Sequence, residues 1–256
     1  MMNMAIPQAS SASMKGSMLK HGIWIVLLAL LASFSSQAQQ TLDIQLLMGG
    51  TLAGEWHPAI IDDGNGNYHI NNVTYNPAGV ANIFCHDMSV GFDPFISASV
   101  DVVNTTATTQ IYTLIFTLPI SPITGGTRMG GSTQGGLTDA NNDGIGTLST
   151  TGAGSALYFG QIDGLDKLAL FPDVKTLTVP FGGGSASDTT SAGLPGPTIV
   201  GPASALTSIG IKHTFSLTTG DRATFTSFFR VEPVPEPACL SLLVLGGAAL
   251  VWRRRR

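Results

Sequence analysis

Charged side chains are scarce in this chain: Asp, Glu, Lys and Arg make up 11% of its 256 residues, against roughly 25% in ordinary soluble domains. That scarcity, with 31 glycines and abundant Ser and Thr, argues against a helical cytosolic enzyme and suits an extracellular all-β protein. Cysteine is limited to Cys85 and Cys239, which excludes a disulfide scaffold. Between Gln39 and Val234 glutamate occurs only as Glu55 and Glu232, so the carboxylate pair of a glycosidase would have to come mainly from Asp. No G-x-S-x-G elbow, P-loop or dinucleotide fingerprint is present, which removes the usual anchors of hydrolases and nucleotide enzymes. Clustered basic residues are also missing: the same stretch holds six basic and fifteen acidic residues, a net of −9. A nucleic-acid-binding surface, which neutralises phosphates with grouped Lys and Arg, is excluded on that ground.

Half of the twelve basic residues lie near the two ends, at Lys15, Lys20 and Arg253, Arg254, Arg255 and Arg256. Lys15 and Lys20 precede an apolar run from Ile23 to Ala32, and Ser36-Gln37-Ala38 follows. This is the layout of a secretory signal peptide, with cleavage expected after Ala38 and Met14 or Met18 as alternative starts. Ten apolar residues are too few to span a bilayer core of about 30 Å.

At the other end Pro235-Glu236-Pro237 is followed by an apolar segment from Ala238 to Trp252 and then by the four arginines. As a helix, those fifteen residues reach about 22 Å, enough to cross a membrane that thins or lets its flanks snorkel. The arginines then mark a cytoplasmic stop. The Pro-flanked tripeptide cannot continue the helix and stands as an accessible handle outside it. In this order of parts the tail resembles the PEP-CTERM sorting signal of Gram-negative bacteria. The resemblance covers Val234 to Arg256. It implies that Pro235, Glu236 and Pro237 are the recognition tripeptide for an exosortase, and that the tail is cut or exchanged on delivery to the envelope or exopolysaccharide matrix. Cys239 stands where that family often has Thr or Ser.

The body reads as strands. Ile209 to Leu217 alternates Ile209, Ile211, His213, Phe215 and Leu217 against Gly210, Lys212, Thr214 and Ser216, the pattern of a half-buried strand. After Thr218-Thr219-Gly220-Asp221 the alternation resumes as Ala223, Phe225, Ser227, Phe229 and Val231, and the two runs predict an antiparallel hairpin within one sheet. Further strands are expected at Leu42 to Met48, Tyr68 to Tyr75, Ile96 to Val103, Gln110 to Leu118, Gly146 to Thr151, Ala156 to Ile162 and Lys175 to Val179. Phe181 to Gly196 (FGGGSASDTTSAGLPG) reads as an exposed low-complexity loop. The expected layout is a signal peptide over 1–38, a β-sandwich over 39–233 and the sorting signal over 234–256. The fold class is all-β, an antiparallel sandwich with a jelly roll as one candidate topology, an N-terminal signal helix and a C-terminal transmembrane-type helix.

Within the body the chemistry-bearing pattern is Asp139-Ala140-Asn141-Asn142-Asp143-Gly144. D-x-N-x-D-G sets Asp139, Asn141 and Asp143 at alternate positions of a tight loop, as Ca²⁺ sites do. Thr150 occupies the position where an EF-hand needs a bidentate acid, so that module is rejected. Two readings stay open: a β-connected calcium loop closed by a distant carboxylate or carbonyls, and a metal-free Asn/Asp/Gly turn. Asp62 to Asn67 is a weaker version, expected to be a hairpin loop. His57, His69, His86 and His213 are dispersed. Cys85 and His86, adjacent on a strand, would face opposite ways, and Cys85 is expected to be a buried hydrophobe. Trp56 and Tyr68 could stack on sugar rings, although scattered aromatics usually pack.

The expected function is therefore an exported, non-enzymatic envelope or matrix protein, structural or adhesive, handled by the secretion machinery and an exosortase-type enzyme. The alternative is a carbohydrate-binding module for exopolysaccharide, with or without calcium. A surface hydrolase using an unfamiliar Asp site is a third class.

Overall fold

The computed structural model describes residues 41–234, apart from Asn65, Ala78 and Phe92. The proposed signal peptide with Ala38, the tripeptide Pro235-Glu236-Pro237, the apolar segment and the terminal arginines lie outside the described residues. Within them the chain is all β, two antiparallel sheets packed face to face, and no helix is long and apolar enough to cross a membrane.

The first sheet has the order β11-β10-β15-β7-β1-β2, comprising β1 (Asp43–Met48), β2 (Thr51–Trp56), β7 (Gln110–Pro119), β10 (Ala156–Ile162), β11 (Leu165–Pro172) and β15 (Ser208–Leu217). Beyond the end of β10, the edge of β15 is taken up by β9 (Gly146–Ser149), which pairs in turn with β12 (Thr176–Val179). The second sheet runs β13-β8-β16-β6-β5-β4-β3. Its members are β3 (Ile61–Asp62), β4 (Asn67–Tyr75), β5 (Ala81–Gly91), β6 (Phe95–Asn104), β8 (Thr127–Thr138), β13 (Ser185–Ala192) and β16 (Arg222–Pro233), with β14 (Ile199–Val200) also on β8.

Alternation explains which faces meet. β7 turns Tyr112, Leu114, Phe116 and Leu118 inward, β15 turns Ile211, Phe215 and Leu217, β6 turns Ile96, Val100 and Val102, and β16 turns Phe225, Phe229 and Val231. Each such side chain, fully withdrawn from water, contributes roughly 1.5–3 kcal/mol.

The expected hairpin is not formed. β15 and β16 belong to different sheets, and residues 218–221 carry the chain from one to the other. Their apolar faces meet across the core, with the His213 and Phe225 rings 4.3 Å apart and the Phe215 and Phe225 rings 4.9 Å apart. The reason is that a period of two marks a buried face without saying whether a strand's neighbour lies beside it or opposite it. The expected loop is also a correction. Its middle is β13, paired with β8 from Ser185↔Thr138 to Ala192↔Gly131. As an edge strand it has no continuous apolar face to reveal it, and Asp188, paired with Lys175, keeps the edge charged.

Of the further strands that no sequence expectation covers, β2, β5, β8, β11 and β14, two escape for clear physical reasons. β8 is glycine-rich because the facing sheet comes close: a Cβ on Gly131 would stand 2.7 Å from the Tyr158 hydroxyl. β5 changes phase at a bulge near Cys85 and Asp87, so Ala81, Ile83 and Cys85 face inward and then Met88 and Val90 do, breaking the period. The same close packing appears at Gly160 in β10, where an added Cβ would lie 2.4 Å from the Phe229 ring. Gly160→Val is expected to lower unfolding stability by about 2–4 kcal/mol, read by urea denaturation. A loss under about 0.5 kcal/mol would show that Phe229 can move aside.

Candidate functional site

The D-x-N-x-D-G loop connects β8 to β9 at one end of the sandwich. Its side chains organise its own backbone. The Gly144 amide donates to Asp139 Oδ2 at 2.8 Å, the Asp143 amide to Asn141 Oδ1 at 3.1 Å and the Ile145 amide to Asp143 Oδ1 at 2.9 Å. Asn142 has a φ of 61° and Gly144 a φ of 83°, the left-handed backbone that Asn and Gly adopt most readily. The loop also folds over the crossover between the sheets, where Asn141 Nδ2 donates to the Thr219 carbonyl at 3.0 Å and to Asp143 Oδ2 at 2.9 Å.

Sequence reasoning missed the partner of this loop, Asp221. It lies at the end of the crossover and is fully buried. The Thr218 hydroxyl donates to its Oδ2 and the Ala140 amide to its carboxylate. Its Oδ1 is buried without a hydrogen-bond partner, and so is Oδ1 of Asp139, a residue only 2% exposed. Burial, and then the charges of Asp139 and Asp143, push the Asp221 carboxyl above the ordinary carboxylate range, against the lowering effect of its hydrogen bonds. The signal in the sequence was a lone Asp in T-T-G-D, indistinguishable from any turn. Among the described residues no three Asp, Glu, His or Cys side chains form a ready-made metal cage.

Asn104 buttresses the same end. It is fully buried at the close of β6, and its Nδ2 donates to the carbonyls of Thr108, Leu217 and Thr218 at 2.9, 3.0 and 3.2 Å. Its Oδ1 accepts from the Thr106 amide and hydroxyl at 2.9 and 2.7 Å, and lies 2.9 Å from the Tyr112 hydroxyl. The Asn104 amide donates to the Asp221 carbonyl at 3.0 Å and the Gly220 amide to the Asn104 carbonyl at 2.9 Å. One side chain thus fixes the crossover that carries Asp221.

The other candidates are dispersed. Asp62 and Asp63 shape the β3–β4 hairpin turn, accepting from the Gly64 amide at 2.8 Å and the Asn67 amide at 3.3 Å. His57 contacts Asp43 at 2.7 Å, and His69 lies 3.0 Å from the Ser89 hydroxyl. His86 is on the outer face of its sheet, 3.1 Å from Asp101, while Cys85 is fully buried and its thiol is pushed up to about 12 by burial. The two therefore do not form a nucleophile pair, since the thiolate is not available near neutral pH. His213 is a core residue between Leu157 and Ser227. Trp56 stacks on Tyr75 with ring centroids 4.3 Å apart, and both pack against the core, as Tyr68 does.

Two surface depressions add no catalytic pair. One, of about 250 Å³, is bordered by Gln134, Thr138, Ser185 and Ser187 and has no ionisable side chain in its lining. The other, of about 240 Å³, has Asp93 as its single ionisable residue.

No family model matches the chain, and no curated protein matches it. Among solved structures, one match is the carbohydrate-binding module TmCBM61 in complex with β-1,4-galactotriose, at 11% identity and a TM-score of 0.23, covering 69% of this chain and 88% of that one. Another is the K1 cleaved adhesin domain of Lys-gingipain from Porphyromonas gingivalis W83, at 12% identity and a TM-score of 0.27, covering 75% of this chain and 91% of that one. Overlaps this loose add nothing to the geometry above.

Proposed function

We propose that the chain is an exported surface or extracellular-matrix protein of a Gram-negative-type bacterium, structural or adhesive rather than enzymatic, with the β-sandwich as cargo of a PEP-CTERM-type tail. The observation that carries this reading is the fixed order of Pro235-Glu236-Pro237, apolar segment and four arginines. In the precursor the apolar segment forms a membrane helix, and an exosortase-type enzyme reads the tripeptide. The described end of the body supports the arrangement. β16 lies inside its sheet between β8 and β6, and the Val234 amide still donates to the Gly126 carbonyl at 3.1 Å. Only the tripeptide then separates the folded sheet from Ala238, a reach of at most about 14 Å.

Replacing Pro235, Glu236 and Pro237 with alanine is expected to leave an unprocessed precursor in the membrane fraction of an exosortase-bearing host, read by fractionation and intact mass. Unchanged processing and surface delivery would overturn the proposal.

A further inference from the structure

We infer that Asp139 and Asp221, together with the side-chain oxygens of the 139–144 loop, bind one Ca²⁺ that pins the β8–β9 connection to the crossover between the two sheets. This goes beyond the export reading and stands without it.

The placement comes from strand register. β8 and β16 pair from Pro233↔Thr127 to Arg222↔Thr138, so the next position along the ladder sets Asp221 opposite Asp139. Both continue the inward series of their strands, Thr133, Gly135 and Leu137 on one side and Phe225 and Ala223 on the other. The apolar core is therefore closed at this end by two carboxylates. Directly opposed residues of an antiparallel pair have Cβ atoms about 4.5–5.5 Å apart, and like charges there repel. Each carboxylate is more than nine-tenths buried, and each has an oxygen with no hydrogen-bond partner. Isolated buried charge is costly, and two buried carboxylates at opposed register positions, each with an oxygen lacking a partner, call for a cation.

The donor set selects the ion. It consists of oxygen from Asp139, Asp221, Asn141 and Asp143, without His or Cys, on an irregular loop instead of a rigid octahedral frame. Those features favour Ca²⁺ over Mg²⁺ and over Zn²⁺. Asp139 and Asp221 are in place. Asn141 and Asp143 now hold loop amides and one another, and they complete the site by side-chain rotation. Asn141 packs directly on Gly220, where an added Cβ would stand 2.7 Å from its Nδ2, so the loop and the crossover already touch at the site.

The test is calcium titration of the full-length chain, purified in detergent with chelator and then freed of it. Calorimetry is expected to show one saturable Ca²⁺ per chain, with Mg²⁺ at the same concentration binding at least tenfold more weakly. The unfolding midpoint is expected to rise by roughly 5–10 °C at a hundredfold excess over the dissociation constant. Asp139→Asn and Asp221→Asn should each weaken Ca²⁺ binding at least tenfold, and Asp221→Asn should unfold no earlier than wild type in chelator, because it removes the repulsion. Asp62→Asn should keep the full response. Absence of a Ca²⁺-dependent shift in wild type, or a shift that survives Asp139→Asn and Asp221→Asn, or one lost in Asp62→Asn, would overturn the inference. Failure of tail processing would leave these readouts untouched, so the two proposals fail separately.

Discussion

Replacing Asn104 with alanine is expected to lower the unfolding free energy by about 3–5 kcal/mol, read by urea denaturation with the slope unchanged. The change removes a donor from the carbonyls of Thr108, Leu217 and Thr218 and an acceptor from Thr106 and Tyr112, around a side chain fully withdrawn from water, with the Leu217 and Tyr112 bonds buried. Each buried group left without its partner costs about 1–3 kcal/mol, with Tyr112 keeping the Val80 carbonyl at 2.7 Å as an alternative. Asn104→Asp keeps the acceptor and loses the amide donors, and is expected to be at least as damaging at neutral pH because it buries a charge. A loss under about 1 kcal/mol in the alanine variant would mean that the crossover is held by its backbone bonds alone.

The second large effect is a pH dependence centred on His213. Burial pushes its pKa down to about 4 from an ordinary 6.5, with the Leu157 carbonyl opposing the shift. A carbonyl only accepts, so Nδ1, 3.1 Å away, carries the proton. Nε2 then accepts from the Ser227 hydroxyl at 3.1 Å, which lies 2.8 Å from the Thr133 hydroxyl. Around the ring stand Tyr158 and Phe225, with no carboxylate among its hydrogen-bond or ring partners. The neutral form is thus the folded form. Between the two pKa values the unfolded chain binds the extra proton, so this contribution is complete above about pH 6.5, is lost as pH falls to about 4, and is flat below. The total is about 3 kcal/mol. Asp221 acts in the opposite sense, since its raised carboxyl favours the fold as pH falls. The measurement is therefore a difference: urea midpoints of wild type and His213→Phe at about pH 7.5, 5.5 and 4. The variant is expected to lose the His213 slope and to fall less across that range. Parallel curves would mean that the imidazole is solvated in the native state.

Much of the architecture was legible because one face of most strands is apolar. β10 matches its expected limits, and β1, β4, β6, β7, β9, β12, β15 and β16 lie within a residue or two of theirs. Strands without a regular apolar face stayed hidden: β13 at an edge, β8 with glycines that admit the facing sheet, and β5 with its bulge. The D-x-N-x-D-G loop was visible as spacing, and its side chains bond its own amides. Asp221 was invisible, because it lies far along the chain from that loop and only strand register, with no local signal, brings it opposite Asp139.

By itself the sequence determined the all-β class, through alternation, because a period of two is read along the chain; the two addresses at its ends are proposed from the linear order of charge, apolar length and proline. Only the tertiary structure decided that β15 and β16 face each other across the core instead of pairing, that His213 is held neutral, and that Asp139 meets Asp221. Those depend on which strands lie opposite, and a period of two is the same whichever neighbour a strand has.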